Sequence, residues 1–276
     1  MKNPNRLNTP EKITAVLFIG LSLWWMFLYF VYDAGLEQQN LIWAASYQAI
    51  ALWGGLFGLM ASRPWGGFRS WMGRAIIFFS IGLLLQNFGQ TVFSYFNLVS
   101  EIEIPYPSLA DVGYFGSMVL YILGIISLMK VAGVGFKWRN FNGKMQALLL
   151  PVLMLVFSYS FFLKGYELDW SAPLRMFLDF GYPLGEAIYV SFALLTLLLS
   201  RNILGGVMKK PLTYVMIALI AQYCAEFNFL YQASRLTWIN GGYGDFMYMF
   251  AYFLMAVSLI KIAKTLESHQ SESLEA

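Results

Sequence analysis

Glu186 and Glu226 each stand inside an apolar run, about two helical turns from its outer end. A carboxyl group at such a depth is costly unless it is paired, hydrated or protonated, which makes both residues candidates for binding a proton, an ion or the polar part of a small ligand. The alternative is a structural clamp, in which one of them neutralises Arg175 or Arg235 near the membrane boundary.

A second set of polar groups is periodic. Asp111-Val-Gly-Tyr114, Asp179-Phe-Gly-Tyr182 and Asp245-Phe-Met-Tyr248 recur at intervals of 68 and 66 residues, and 71 residues before Asp111 the chain reads Asn40-Leu-Ile-Trp43. From each start a stripe continues at i, i+3, i+7 and i+10, the spacing of one helix face. The stripes are Asn40, Trp43, Tyr47, Ile50; Asp111, Tyr114, Met118, Tyr121; Asp179, Tyr182, Glu186, Tyr189; and Asp245, Tyr248, Tyr252, Met255. Carboxylates at helix starts accept bonds from unpaired backbone amides, so Asp111, Asp179 and Asp245 read first as caps and second as site residues. Ser108-Leu-Ala-Asp111 has the spacing of a capping box. Tyrosine hydroxyls facing hydrocarbon would go unsatisfied, so Tyr114, Tyr182, Tyr189, Tyr248 and Tyr252 are expected to face inward. With Gln90, Gln222, Glu186 and Glu226 they define the expected ligand site, a polar, aromatic-lined cavity open to the outside.

Other chemistries lack their residues. One cysteine, Cys224, and one histidine, His269, exclude an internal disulfide, a thiolate cluster, a bis-histidine haem and a His-rich metal site. No Walker loop, nucleophile elbow or HExxH motif occurs, and no lysine lies mid-span in the last helix. The expectation is a protein without cofactor, metal or enzymatic activity. Cys224 reads as a packing residue.

The elements that must position these groups follow from composition. Of 276 residues, 59% are apolar and 12% charged, with a mean hydropathy of +0.59; soluble domains carry about a quarter charged residues. At about 20 residues per span, the fold class is all-α, a polytopic bundle of about eight transmembrane helices. They are expected at 13–32, 41–61, 75–96, 112–130, 146–163, 180–199, 212–231 and 246–263, as four tandem hairpins. Residues 1–264 form one transmembrane domain and 265–276 a polar cytoplasmic tail. The first span reads as a retained helix and not a cleaved signal peptide. Fifteen of the 18 lysines and arginines fall on one side, within 2–12, 63–74, 130–144, 201–210 and 261–264. Only Lys164, Arg175 and Arg235 fall on the other, which places both termini in the cytoplasm and accounts for the net charge of +3 without nucleic acid. Most tryptophans, Trp43 among them, read as an interfacial belt. Gly54, Gly55 and Gly58 mark close helix packing inside the bundle, or a dimer face.

The segment Pro107-Ser108-Leu109-Ala110-Asp111-Val112-Gly113-Tyr114 resembles the P-S-x-A-D-x-x-Y signature of bacterial multi-helix membrane sensor regions, which often precede diguanylate cyclase or histidine kinase domains. Here about a dozen residues follow the last span. The resemblance therefore implies an input module that signals through a separate cytoplasmic or membrane partner, embedded in the lipid of a bacterial cytoplasmic membrane. The leading expectation is a sensor binding a small ligand, ion or lipid. A small-solute or proton-coupled transporter is the first alternative, although no Gly/Pro pair interrupts a span; a structural subunit of a membrane complex is the second.

Overall fold

The computed structural model describes residues 9–30, 37–132, 141–200 and 209–275. Its elements are α1 (Thr9–Phe30), α2 (Glu37–Ser46), α3 (Ala49–Ser62), α4 (Trp71–Leu98), α5 (Leu109–Val131), α6 (Phe141–Ser158), α7 (Pro173–Ser200), α8 (Lys209–Ala233) and α9 (Tyr243–Glu275). A 3-10 turn precedes α4 and a π-helical turn, Tyr159–Leu163, extends α6; no strand occurs among the described residues. A bilayer leaves unpaired backbone groups without water, so long apolar segments close their hydrogen bonds internally as helices.

Seven stretches are long and apolar enough to cross a membrane: Thr9–Phe30, Gln38–Ser62, Trp71–Leu98, Leu109–Val131, Pro173–Leu198, Lys210–Ala233 and Tyr243–Leu266. The span expected over 146–163 corresponds to α6 and its π turn, where the apolar stretch Leu149–Leu163 is shorter. The last helix continues past the expected end of its span to Glu275.

Six elements close a ring: α3 packs on α4, α4 on α5, α5 on α7, α7 on α8, α8 on α9, and α9 back on α3. The first helix lies outside, against α2, α3 and α9, burying only Thr14 and Leu28. Helix α6 lies outside against α7. The bundle's outer surface is apolar, with Val16 and Phe30 of α1 and Leu174 and Phe177 of α7 exposed, whereas Gln86, Gln90, Glu186 and Gln222 are buried. That reversal of the soluble pattern suits a protein whose solvent is hydrocarbon.

Small residues set the close crossings. A Cβ on Gly54 would meet the Ala256 side chain at 2.7 Å, and one on Gly58 would overlap the Ser80 hydroxyl and approach Leu259 at 2.8 Å. The Gly54-to-Gly58 segment thus packs α3 inside the bundle against α4 and α9, the first of its two expected roles. Between α4 and α5, a Cβ on Gly113 would lie 2.5 Å from the Leu85 carbonyl and 2.6 Å from the Gly89 nitrogen.

Four expectations need correction. The second span is not one continuous helix, because α2 and α3 are separated by a turn at Tyr47 and Gln48. Asp179 does not open its helix; α7 begins six residues earlier, at Pro173. Trp43 is not a belt residue: it is fully buried, and its indole donates to the Leu21 carbonyl at 2.9 Å. Cys224 is exposed. Asp179 lies inside α7 because Pro173, suited to the first position of a helix, starts it upstream; Trp43 was read from its position in the sequence, when packing decides which side chains meet lipid.

Candidate functional site

The segment from Pro107 to Tyr114 shows how the sequence builds one corner of the site. The Ser108 hydroxyl accepts from the Ala110 nitrogen at 3.2 Å and the Asp111 carboxylate accepts from the Ser108 nitrogen at 2.7 Å, a capping box that fixes the start of α5. Ala110 is buried, while Leu109 and Val112 point outward. Tyr114, one turn in, donates to Gln90 Oε1 on α4 at 2.9 Å.

Each periodic aspartate also ties to tyrosine from elsewhere in the fold. Asp111 accepts from Tyr182 of α7 at 2.8 Å. Asp245 accepts from Tyr47 at 2.9 Å and from the Gly241 nitrogen at 2.6 Å, so it pins the turn just before α9 and joins it to the α2–α3 turn. Asp179 accepts from Tyr106 at 2.8 Å and Tyr166 at 2.6 Å, with Arg175 at 3.8 Å. Burial and the bond to Asp179 push the pKa of the Tyr106 hydroxyl, outside the spans, above the ordinary tyrosine range.

The break in the second span belongs to the same network. Gln90 Nε2 donates to the Ala44 carbonyl at 3.1 Å and Gln48 Nε2 to the Ala45 carbonyl at 2.8 Å. Gln48 Oε1 in turn accepts from Asn87 at 2.9 Å and Thr91 at 3.0 Å. Side-chain amides thus satisfy backbone groups beside the turn, a requirement at membrane depth. No glycine or proline marks the break, which is why the sequence read through it.

Deeper in the ring, Glu226 of α8 accepts three bonds, one from its own helix and two from α4 and α9. Its Oε1 accepts from Gln222 Nε2 at 2.7 Å and Gln86 Nε2 at 3.2 Å, and its Oε2 from Tyr248 of α9 at 2.8 Å. Gln86 of α4 is the hub: it also donates to Ser117 of α5 at 2.7 Å and accepts from Tyr252 of α9 at 2.9 Å. The expected site did not include Gln86. Its spacing of four from Gln90, on one helix face, was the available signal.

Glu186 contrasts with Glu226. It is 2% exposed and its Oε1 has no hydrogen-bond partner. The Tyr189 hydroxyl, one turn along, is likewise buried and unpartnered. Because α7 starts at Pro173, Glu186 lies about 20 Å along the helix, at its middle. The clamp alternative does not hold: the ion pairs among the described residues are Arg175 with Asp179 and Lys264 with Glu11, while Arg235 stacks over Tyr231 at 4.3 Å.

Glu186, Glu226, Gln86, Ser117 and Tyr189 face one cavity, closed around by Tyr114, Tyr121, Met118 and Tyr182. The space among these polar and aromatic side chains is largely filled by the side chains themselves, which bond one another. The remaining space, about 10 Å3, holds about one water molecule. Gln90, Tyr248 and Tyr252 stand behind this space as supports for Tyr114, Glu226 and Gln86. No group of three or more His, Cys, Asp or Glu residues suited to a metal ion occurs among the described residues. A lone proton, a water or a monovalent ion is what the dimensions and oxygen donors suit. Comparison with known protein families, curated proteins and solved structures finds no match, so the chemistry of the site rests on its own geometry.

Proposed function

We propose that the chain is a non-enzymatic sensor-type membrane module of eight spans in four tandem hairpins, with both termini on the cytoplasmic side of a bacterial-type inner membrane. Its ligand is a single monovalent cation, a proton or an alkali ion, held between Glu186 and Glu226. The observation that carries this reading is the buried, unpartnered Glu186 oxygen facing a water-sized cavity shared with a second carboxylate. A carboxylate with an unpartnered oxygen in a low-dielectric interior is stabilised by one positive charge more than by any neutral group. A bound cation draws α7 toward α8, and the Gln86 bonds carry that shift to α4, α5 and α9. A change in helix packing is then available to a signalling partner, in keeping with the resemblance at Pro107 to Tyr114.

The break at Tyr47 and Gln48 favours one second reading, a cation-coupled transporter, since discontinuous helices are common at transport sites. One experiment separates them. Purified protein in lipid nanodiscs is titrated with sodium chloride in a choline chloride background, and separately with pH at fixed salt, while thermal unfolding and tryptophan emission are followed. A saturable response in one titration, absent from a folded Glu186→Gln variant, supports the sensor; insensitivity to both overturns it. Cation-driven flux in proteoliposomes would assign the transporter instead.

A further inference from the structure

At the end of the bundle where α4 begins and α5 ends, one indole carries two cations. The Lys130 ammonium lies 3.7 Å from the Trp71 ring centre and the Arg74 guanidinium carbon 4.6 Å from it. Arg74 Nε donates to the Phe68 carbonyl at 2.6 Å, which fixes the direction of its fork. Neither cation pairs with a carboxylate among the described residues. Each is attracted by the ring, but like charges gathered at one side chain repel, and an anion bridging them relieves that repulsion. A guanidinium fork matches phosphate oxygens in particular.

The cations do not stand alone. From Trp71 and Arg74 a groove of about 360 Å3 runs between α4 and α5, walled by Phe68, Phe78, Leu123 and Ile126. Its one hydroxyl, on Ser127, is already committed to the Leu123 carbonyl at 2.8 Å, so the groove is effectively apolar. It lies on a face whose other large side chains, such as Val119, are exposed and apolar. A soluble phosphate would use the cations and leave the groove empty; a lipid uses both.

We infer that this groove binds one anionic phospholipid, its phosphate bridging Arg74 and Lys130 and part of an acyl chain lying along Phe78, Leu123 and Ile126. The site is separate from the Glu186 cavity and stands or falls independently of it. By crossing from α4 to α5 the lipid clamps the two helices at the end opposite the Asp111 cap.

The test uses full-length protein in nanodiscs of equal phosphatidylglycerol and phosphatidylcholine, released into mild detergent, with retained lipids counted by native mass spectrometry. Wild type should keep one phosphatidylglycerol in preference to phosphatidylcholine. The Arg74→Gln/Lys130→Gln variant should lose that preference by about 30-fold, the worth of two cations near a membrane surface. Lys164→Gln, a cation outside the cluster, should not change it. Leu123→Trp fills the groove with both cations intact and should also lose the lipid, which decides the matter if the double variant does not fold. Equal retention of the two lipids by wild type, an unchanged preference in folded double variant or in Leu123→Trp, or displacement by millimolar inorganic phosphate would each overturn the assignment.

Discussion

Glutamine at position 186 and glutamine at position 226 should have different effects on stability, because the two carboxylates differ in what they hold. Glu226 accepts three bonds, from Gln222 at 2.7 Å, Gln86 at 3.2 Å and Tyr248 at 2.8 Å. Bonds to a charged acceptor contribute about 1.5–3 kcal/mol each and neutral ones about 1. Glutamine keeps one acceptor oxygen and turns the other position into a donor, so Tyr248 must reverse its hydroxyl or go unpaired. Gln86 retains Ser117 as an alternative acceptor. The expected loss for Glu226→Gln is about 1–3 kcal/mol. Glu186 Oε1 accepts nothing, so Glu186→Gln breaks no bond at that atom and removes a charge; stability should stay within about 1 kcal/mol of wild type or rise. Unfolding titrations in mixed micelles, run side by side at neutral pH in choline chloride without added alkali ion, measure both. A loss of about 3 kcal/mol or more for Glu186→Gln, the signature of a broken buried ion pair, would refute the reasoning.

The other predictions probe the scaffold. Gly241 has φ +75° and a Cβ there would lie 2.7 Å from the Asn40 Cβ and 2.8 Å from its carbonyl, so Gly241→Ala should lower stability by more than about 1 kcal/mol through strain and a displaced bond to Asp245. Gly58→Ala should cost about 1–3 kcal/mol by wedging α3 from α4 and α9, read as a lower thermal midpoint; no loss would reopen the dimer-face role. Tyr47→Phe strands one Asp245 oxygen and should cost about 1–3 kcal/mol, less if Asp245→Asn is already present, which a double-mutant cycle measures. Single cysteines at Glu103 and Asp169 in a Cys224→Ser background should label from outside intact cells, and one at Gly135 should not; the reverse pattern would overturn the orientation read from the basic residues.

The solvent and the inward faces were legible from the order of residues. Long apolar runs forced helices, because a bilayer offers no other partner for the backbone, and the i, i+3, i+7 stripes told which sides turn inward: Tyr47, Tyr121, Tyr189 and Tyr252 are all fully buried. Asp111 was legible as a cap because capping is a local bond between near neighbours. What lies between helices came from packing. Nothing local in Gln86 says that it will join Glu226, Ser117 and Tyr252. Nothing in the run through Tyr47 says that Gln90, from another helix, will bond the Ala44 carbonyl beside a turn. Whether Glu186 found an arginine or a bare cavity depended on how α7 and α8 rotate and slide against each other, and a shift of a few ångströms changes the partner without altering a single residue. Helical periodicity fixes a direction for each side chain; only packing fixes what it meets there.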